Sequence, residues 1–160
     1  MHEHLRRLTR VWIEPAIYFI TICTRNRRNI LTHENSAKVL IAEWQRAQER
    51  HRWKIGRYVI MPDHVHFFCR PEHDAKTLSR FIGAWKTWTS GNIQKAEPQP
   101  TAVATAPQSL GQREFFDRLL RSSESYSKKW NYVRDNPVRS GFVASADDWP
   151  HAGEIERFEF

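Results

Sequence analysis

Apolar and polar positions follow two different rhythms along the chain, and each rhythm predicts an element. "AIYFITICT" (16–24) is a run of β-branched and aromatic residues and reads as a buried strand. "RNRRN" (25–29) leaves it as a basic turn. Ala37, Leu40, Ile41, Trp44 and Ala47 then recur at helical spacing, which predicts a helix over 36–50 with its apolar face inward. "KIGRYVIM" (54–61) and "HVHFFCR" (64–70) read as two further strands, and Pro62-Asp63 between them leaves room only for a tight hairpin. Leu78, Phe81, Ile82 and Trp85 form an i, i+3, i+4, i+7 stripe, a second helix capped by Asp74 and ending near Ser90-Gly91.

"EFFDRLLR" (114–121) is an apolar segment of strand length, and a last helix follows over about 123–135, where Pro137 forbids its continuation. Residues 96–112, "AEPQPTAVATAPQSLGQ", lack periodicity and read as a flexible connection. Residues 1–15 read as a basic arm and 140–160 as a C-terminal tail. The order is β-α-β-β-α-β-α. Its first six elements match the ferredoxin-like, split βαβ arrangement, an antiparallel sheet with two helices on one face. The expected class is therefore α+β, one domain over 1–160, with an added C-terminal helix.

Composition narrows the partner. A chain of 160 residues that is 40% hydrophobic can bury one real core. With 25 Lys+Arg against 18 Asp+Glu, the net charge of +7 favours a polyanion. Nucleic acid comes before membrane, because the basic residues are scattered and no apolar stretch has the length of a membrane span. A merely soluble basic protein is the bland alternative. Cys23 and Cys69, both in expected strands, form neither a zinc spacing nor a disulfide framework, which fits a reduced cytoplasmic setting. Nothing calls for a small-molecule cofactor, and a monomer or a homodimer fits equally.

Two residues in that expected architecture invite chemistry. Strand positions i and i+2 share a face, so His64 and His66 project side by side, opposite Val65, Phe67 and Cys69. The expectation places them on the sheet face that the two helices leave open, where two neutral imidazoles make a candidate divalent-metal site. Among eight histidines such a pair also arises by chance as solvated surface residues.

The last helix adds a tyrosine. Tyr126, Trp130 and Val133 sit at i, i+4, i+7 and make a buried stripe. Tyr132 lies roughly 200° around the helix from Trp130, off that stripe. Asn136 is one turn further on the same face and offers an amide oxygen as a third ligand for a hard cation. Phenols ionise near pH ~10, so a nucleophilic tyrosine needs help at neutral pH. A cation on His64, His66 and Asn136 would polarise a phosphodiester, and phenolate attack would leave a covalent phosphotyrosine. The alternative is a half-exposed surface tyrosine followed by a polar helix end.

These residues resemble the single-tyrosine HUH transposases, where U is hydrophobic, and within them the REP-associated tyrosine transposases, often domesticated bacterial proteins. The resemblance runs over about 16–150. "YFITICTRNRRNIL" is similar to the family's first strand and basic turn, "YVIMPDHVHFF" to its HUH strand, "YVRDNPVRSGFV" to its nucleophile segment and "DDWP" to its tail. It implies Tyr132 as nucleophile, His64, His66 and Asn136 as metal ligands, Mg²⁺ or Mn²⁺ as cofactor, and single-stranded DNA beside a palindromic hairpin as substrate. It further implies a bacterial cytoplasmic, nucleoid-associated protein. Arg25, Arg27, Arg28, Lys128, Lys129, Arg134 and Arg139 are the expected phosphate contacts, with exposed aromatics stacking on unpaired bases. Two features depart from the pattern: 96–112 is long, and Gln112-Arg113 stand where a tryptophan is common before "FFD". The rival from another class is a non-enzymatic, sequence-specific DNA-binding protein on the same fold.

Overall fold

The apolar run that opens the expected fold becomes strand β1 (Ile17–Cys23), whose residues are buried at nearly every position because both faces of the sheet are covered. Helix α1 (Glu34–His51) follows, then β2 (Trp53–Ile60) and β3 (His64–Pro71), helix α2 (Leu78–Ala96), edge strand β4 (Phe116–Leu120), helix α3 (Ser123–Arg134), the single helical turn α4 (Asn136–Arg139) and a short strand β5 (Ala152–Glu154). The structure is a computed structural model and describes residues 16–96 and 115–159. The expected basic arm at 1–15 and all but the first residue of the expected connection at 96–112 lie outside the described residues.

The five strands form one sheet in the order β4-β1-β3-β2-β5, with every neighbouring pair antiparallel. The sub-order β4-β1-β3-β2 is what a β-α-β-β-α-β chain produces in the split βαβ arrangement. β2 and β3 join through Pro62-Asp63, with Met61 N–H donating to the His64 carbonyl at 2.8 Å, the expected tight hairpin.

α1 and α2 cover one face of the sheet. Leu40, Trp44, Phe81, Ile82 and Trp85 meet Ile20, Ile22, Ile55, Val65, Phe67 and Cys69 in one apolar cluster. Trp44 stacks on Trp85 with ring centroids 5.7 Å apart, and Trp53 on Phe81 at 5.1 Å. Among the described residues, no helix is long and apolar enough to cross a membrane.

Three expectations need correction. α2 does not stop at Ser90-Gly91 but runs to Ala96, because Ile93 is buried two residues on. Burying that side chain stabilises by about 1.5–3 kcal/mol, against the ~1 kcal/mol that Gly91 costs in a helix. Its N-terminus is capped by Thr77, whose Oγ1 accepts from Arg80 N–H, while Asp74 sits in the preceding turn paired with His73. The last helix does end before Pro137, at Arg134, and Pro137 falls in the first turn of the separate α4, where its missing N–H has no partner to lose. The tail carries β5, which pairs with β2, and Phe158, whose ring fills the space over Gly56 where a Cβ would come within 2.8 Å.

Candidate active site on the second face of the sheet

The second face is not open, contrary to expectation. A buried stripe on the last helix requires an apolar surface to bury against, and the face away from α1 and α2 supplies it. Tyr126 and Val133 of α3 pack with Ile17, Phe19, Val59 and Phe68, and half-buried Trp130 joins them. Phe68 meets the Tyr126 ring edge-on at 4.7 Å. α3 starts cleanly because Ser122 and Ser125 form a reciprocal capping box.

β3 presents His64, His66 and Phe68 to this face in turn. Phe68 takes the contact with α3, so the two histidines fall beyond it, toward the β2–β3 turn and the C-terminal end of the helix. Their rings lie 4.8 Å apart, edge to face. The sheet register sets Thr21 of β1 opposite His66, and Thr21 Oγ1 is 2.8 Å from His66 Nδ1. His66 also stacks on Phe19 at 5.3 Å. Burial lowers its pKa to about 3, with help from neighbouring His64, Lys129 and Arg139, so the ring is neutral at physiological pH. His64 Nδ1 lies 2.7 Å from Asp63 Oδ1. A carboxylate only accepts, so Nδ1 carries the proton and the Nε2 lone pair faces away from Asp63.

Both Nε2 atoms face one side chain. The Asn136 amide nitrogen lies 3.3 Å from His64 Nε2 and 3.2 Å from His66 Nε2, and its two hydrogens serve one ring each. Donation from the amide leaves His66 Nε2 as acceptor, so its Nδ1–H donates to Thr21. Two imidazole lone pairs thus converge on an amide, and each ring is anchored from behind by an oxygen. This is the arrangement of metal-ligating histidines, whose second nitrogen donates to a carboxylate or another oxygen. The donor set suits a hard cation that completes its shell with water. Among the described residues no three His, Cys, Asp or Glu side chains gather to hold a metal, so a cation here would take its third protein donor from Asn136.

Tyr132 is 62% exposed, off the stripe that buries Tyr126. The Arg139 guanidinium lies 3.9 Å above its ring and Lys129 Nζ 5.8 Å from it. Lys129 also sits 4.6 Å over Phe19, and its pKa is lowered by burial and then by Arg118. Of the other expected phosphate contacts, Arg25 and Arg28 are exposed on the loop after β1. Arg134 and Lys128 are engaged with Asp147 and Glu124 at 2.6 and 2.9 Å. Arg27 pairs with Asp63 at 2.9 Å. The structure therefore gathers Lys129 and Arg139 at Tyr132, ties Arg27 to the histidine pair, and leaves Lys128 and Arg134 in ion pairs.

Sequence reasoning missed Thr21 and Asp63. Thr21 is the one aliphatic hydroxyl in "IYFITIC", a small polar residue inside an apolar strand, and that was its signal. Asp63 immediately precedes His64 but reads first as a turn residue.

Comparison with known proteins decides the family. The family model described as "Transposase IS200 like" matches residues 14–136. The chain belongs to the IS200-like transposase family. The match takes in both histidines, Tyr132 and Asn136. Among curated relatives of this IS200-like chain, the REP-associated tyrosine transposase of Escherichia coli (strain K12) is 26% identical over 144 residues, 88% of this chain and 78% of that protein. A putative REP-associated tyrosine transposase of Haemophilus influenzae is 26% identical over 147 residues, 89% of this chain and 82% of its own length. Among solved structures, a REP-associated tyrosine transposase bound to a REP hairpin superposes with a TM-score of 0.63 at 21% identity, covering 87% of this chain and 76% of that one. A putative transposase from Deinococcus radiodurans gives 0.56 at 17%, over 77% and 92% of the two chains. At these identities the structural matches show the α+β fold.

Proposed function

We propose that this protein cleaves and rejoins single-stranded DNA beside a hairpin through a covalent phosphotyrosine, with Tyr132 as nucleophile. The convergence of the His64 and His66 Nε2 lone pairs on Asn136, with exposed Tyr132 one helical turn before that amide, carries this reading. The curated relatives bear the name of REP-associated tyrosine transposases, and one matched structure holds a REP hairpin. Both support DNA of that kind as substrate.

His64, His66 and Asn136 would hold Mg²⁺ or Mn²⁺, with the Asn136 amide turned over so that its oxygen, in place of the nitrogen that faces the rings here, meets the cation. When bound, the cation supplies charge stabilisation at the phosphodiester oxygens. Each residue of the chain then has a part. Thr21 and Asp63 keep both Nδ1–H groups occupied, so both Nε2 lone pairs point the same way. Tyr132 gives up its phenolic proton and its oxygen bonds to phosphorus as the P–O bond to the departing sugar breaks, which leaves that sugar as an alcohol. The reverse attack by a sugar hydroxyl frees the tyrosine and rejoins DNA. The bond energy is conserved in the phosphotyrosine, which suits strand transfer better than digestion. Arg139 and Lys129 lie beside the phenol, where they would meet the phosphate flanking the cut.

The test is incubation of a labelled hairpin carrying single-stranded flanks with Mn²⁺, followed by denaturing electrophoresis. A protein–DNA adduct that survives denaturation and disappears with chelator is expected. Tight hairpin binding with no adduct at any metal concentration would sink the enzymatic reading in favour of the DNA-binding protein.

A further inference from the structure

The ion pair that ties the half-exposed Arg27 side chain to Asp63 points beyond phosphate binding. Asp63 divides its two oxygens between two partners: Oδ1 lies 2.7 Å from His64 Nδ1, and Oδ2 lies 2.9 Å from Arg27 Nε. Arg27 is gripped a second time, its guanidinium donating to the Cys23 sulfur at the end of β1. To reach this position the loop after β1 places Asn26 and Arg27 at φ 58° and 53°, the left-handed region that favours glycine. Strained residues of this kind persist only where the surroundings over-determine them.

The surroundings do so here. Thr24, 1% exposed, donates its N–H to the Asp63 carbonyl at 2.8 Å, and its hydroxyl, with one hydrogen to share, lies 3.1 Å from the same oxygen. Its hydroxyl also reaches the Arg28 carbonyl at 2.9 Å, and Leu31 N–H donates to the Pro62 carbonyl at 2.9 Å. The basic loop and the β2–β3 turn are thus clamped together by backbone, hydroxyl and ion pair, and the turn ends on His64.

We propose that Asp63 and Arg27 are positioning residues of the cation site: Asp63 fixes the His64 ring and its tautomer, and Arg27 fixes the Asp63 carboxylate. Arg27 then acts within the protein and not as a tracker of DNA phosphates, while Arg25 and Arg28 remain free for that task. The carboxylate behind His64 makes Nε2 a stronger donor, and the cationic Arg27 keeps that carboxylate in one rotamer. This rests on the reading of His64, His66 and Asn136 as a cation site.

The test uses the purified full chain and Mn²⁺ alone, titrated calorimetrically without DNA, alongside ¹⁵N spectra of the histidine rings. Asp63→Ala should weaken Mn²⁺ binding about 10–100-fold, the range for loss of such outer partners. Asp63→Asn, which keeps the shape, should fall between it and the native protein. Arg27→Gln should weaken Mn²⁺ several-fold and Arg27→Lys less, with hairpin affinity in chelator near that of the native protein. In the ring spectra the native His64 should be protonated at Nδ1, and Asp63→Ala should show a mixture of tautomers at unchanged melting temperature. Unchanged Mn²⁺ affinity and tautomer in Asp63→Ala would overturn the proposal. Loss of hairpin affinity in Arg27→Gln with Mn²⁺ binding intact would return Arg27 to phosphate contact. If the native protein bound no Mn²⁺ that His66→Ala removes, the cation site itself would fall. The ring spectra would then still decide whether Asp63 sets the His64 tautomer.

Discussion

On one face of β3, Val65, Phe67 and Cys69 are buried at 1%, 0% and 0% exposure among the aromatics of α1 and α2; on the other, Phe68 meets α3 while His64 and His66 face Asn136 of α4. The strand is the same and only the parity differs. The first face tolerates buried polar atoms with no hydrogen-bond partner, Trp44 Nε1 and Trp85 Nε1 among them, because stacked indoles repay that cost through area. The second face leaves neither ring of the histidine pair unpartnered: both Nδ1 and both Nε2 atoms are engaged. One face holds the sheet together through apolar area, and the other orients lone pairs through hydrogen bonds. Substitutions on the two faces should therefore fail in different assays.

The largest separation is expected at Tyr132→Phe, which should reduce the covalent adduct to background. Its hydroxyl stands on a 62% exposed side chain, so stability should move by no more than about 0.5 kcal/mol. Tyr126→Phe, on the buried stripe of the same helix, is the control and should still form adduct. An active Tyr132→Phe would remove the nucleophile from the proposal.

Next in size come His64→Ala and His66→Ala, each expected to abolish metal-dependent cleavage, since three protein ligands leave little to spare. Asn136→Ala should be milder, with residual cleavage at raised Mn²⁺, because water replaces a neutral oxygen ligand. Cleavage by the double histidine variant in chelator would show that no cation is needed.

Phe67→Ala sharpens the comparison from the other side. Phe67 is adjacent to His66 but points into the helix-covered core, where it lies 5.3 Å from Trp44 and 5.6 Å from Trp85. Its loss should cost about 3–5 kcal/mol in denaturant unfolding. The molecules that remain folded should bind Mn²⁺ nearly as the native protein does. A large loss of Mn²⁺ affinity at temperatures where the variant is folded would mean that the two faces are not separable.

Much of this division was legible before the structure. Strand and helix periods placed β1 to β4, α1 and α3, and the alternation in "HVHFFC" assigned each residue of β3 to its face. Tyr132 was separable from Tyr126 because 3.6-residue geometry needs no tertiary information. What the sequence hid was long-range. That α3 buries its stripe on the histidine face follows only from knowing which surface remains uncovered. Thr21 and Asp63 acquire meaning through the β1–β3 register and the β2–β3 turn, neither of which is local to its residue. β5 is three residues long and pairs with β2 across almost a hundred positions, too short for a period to register.

The smallest expected effect compares histidines on the two faces through pH. His51 closes α1, is 3% exposed and packs against Phe81 at 5.4 Å. Burial lowers its pKa below the ordinary 6.5, with Lys76 and then Arg50 adding to the effect. The unfolded chain therefore takes up a proton at His51 as pH falls below about 6.5 while the folded chain does not. Stability contributed by the neutral ring is whole above that pH and declines as pH falls toward the lowered folded value. The slope from one such group cannot exceed about 1.4 kcal/mol per pH unit. His66 behaves alike on the other face, held at about 3, so the native protein carries both contributions. His51→Phe keeps a ring against Phe81 and removes one of them. Urea unfolding at pH 7 and pH 5 should show a smaller acid loss for His51→Phe than for the native protein, with the His66 contribution cancelling between the two. An equal loss in both proteins would mean that His51 is protonated in the folded state, and that the helix-covered face admits charge that its packing was expected to exclude.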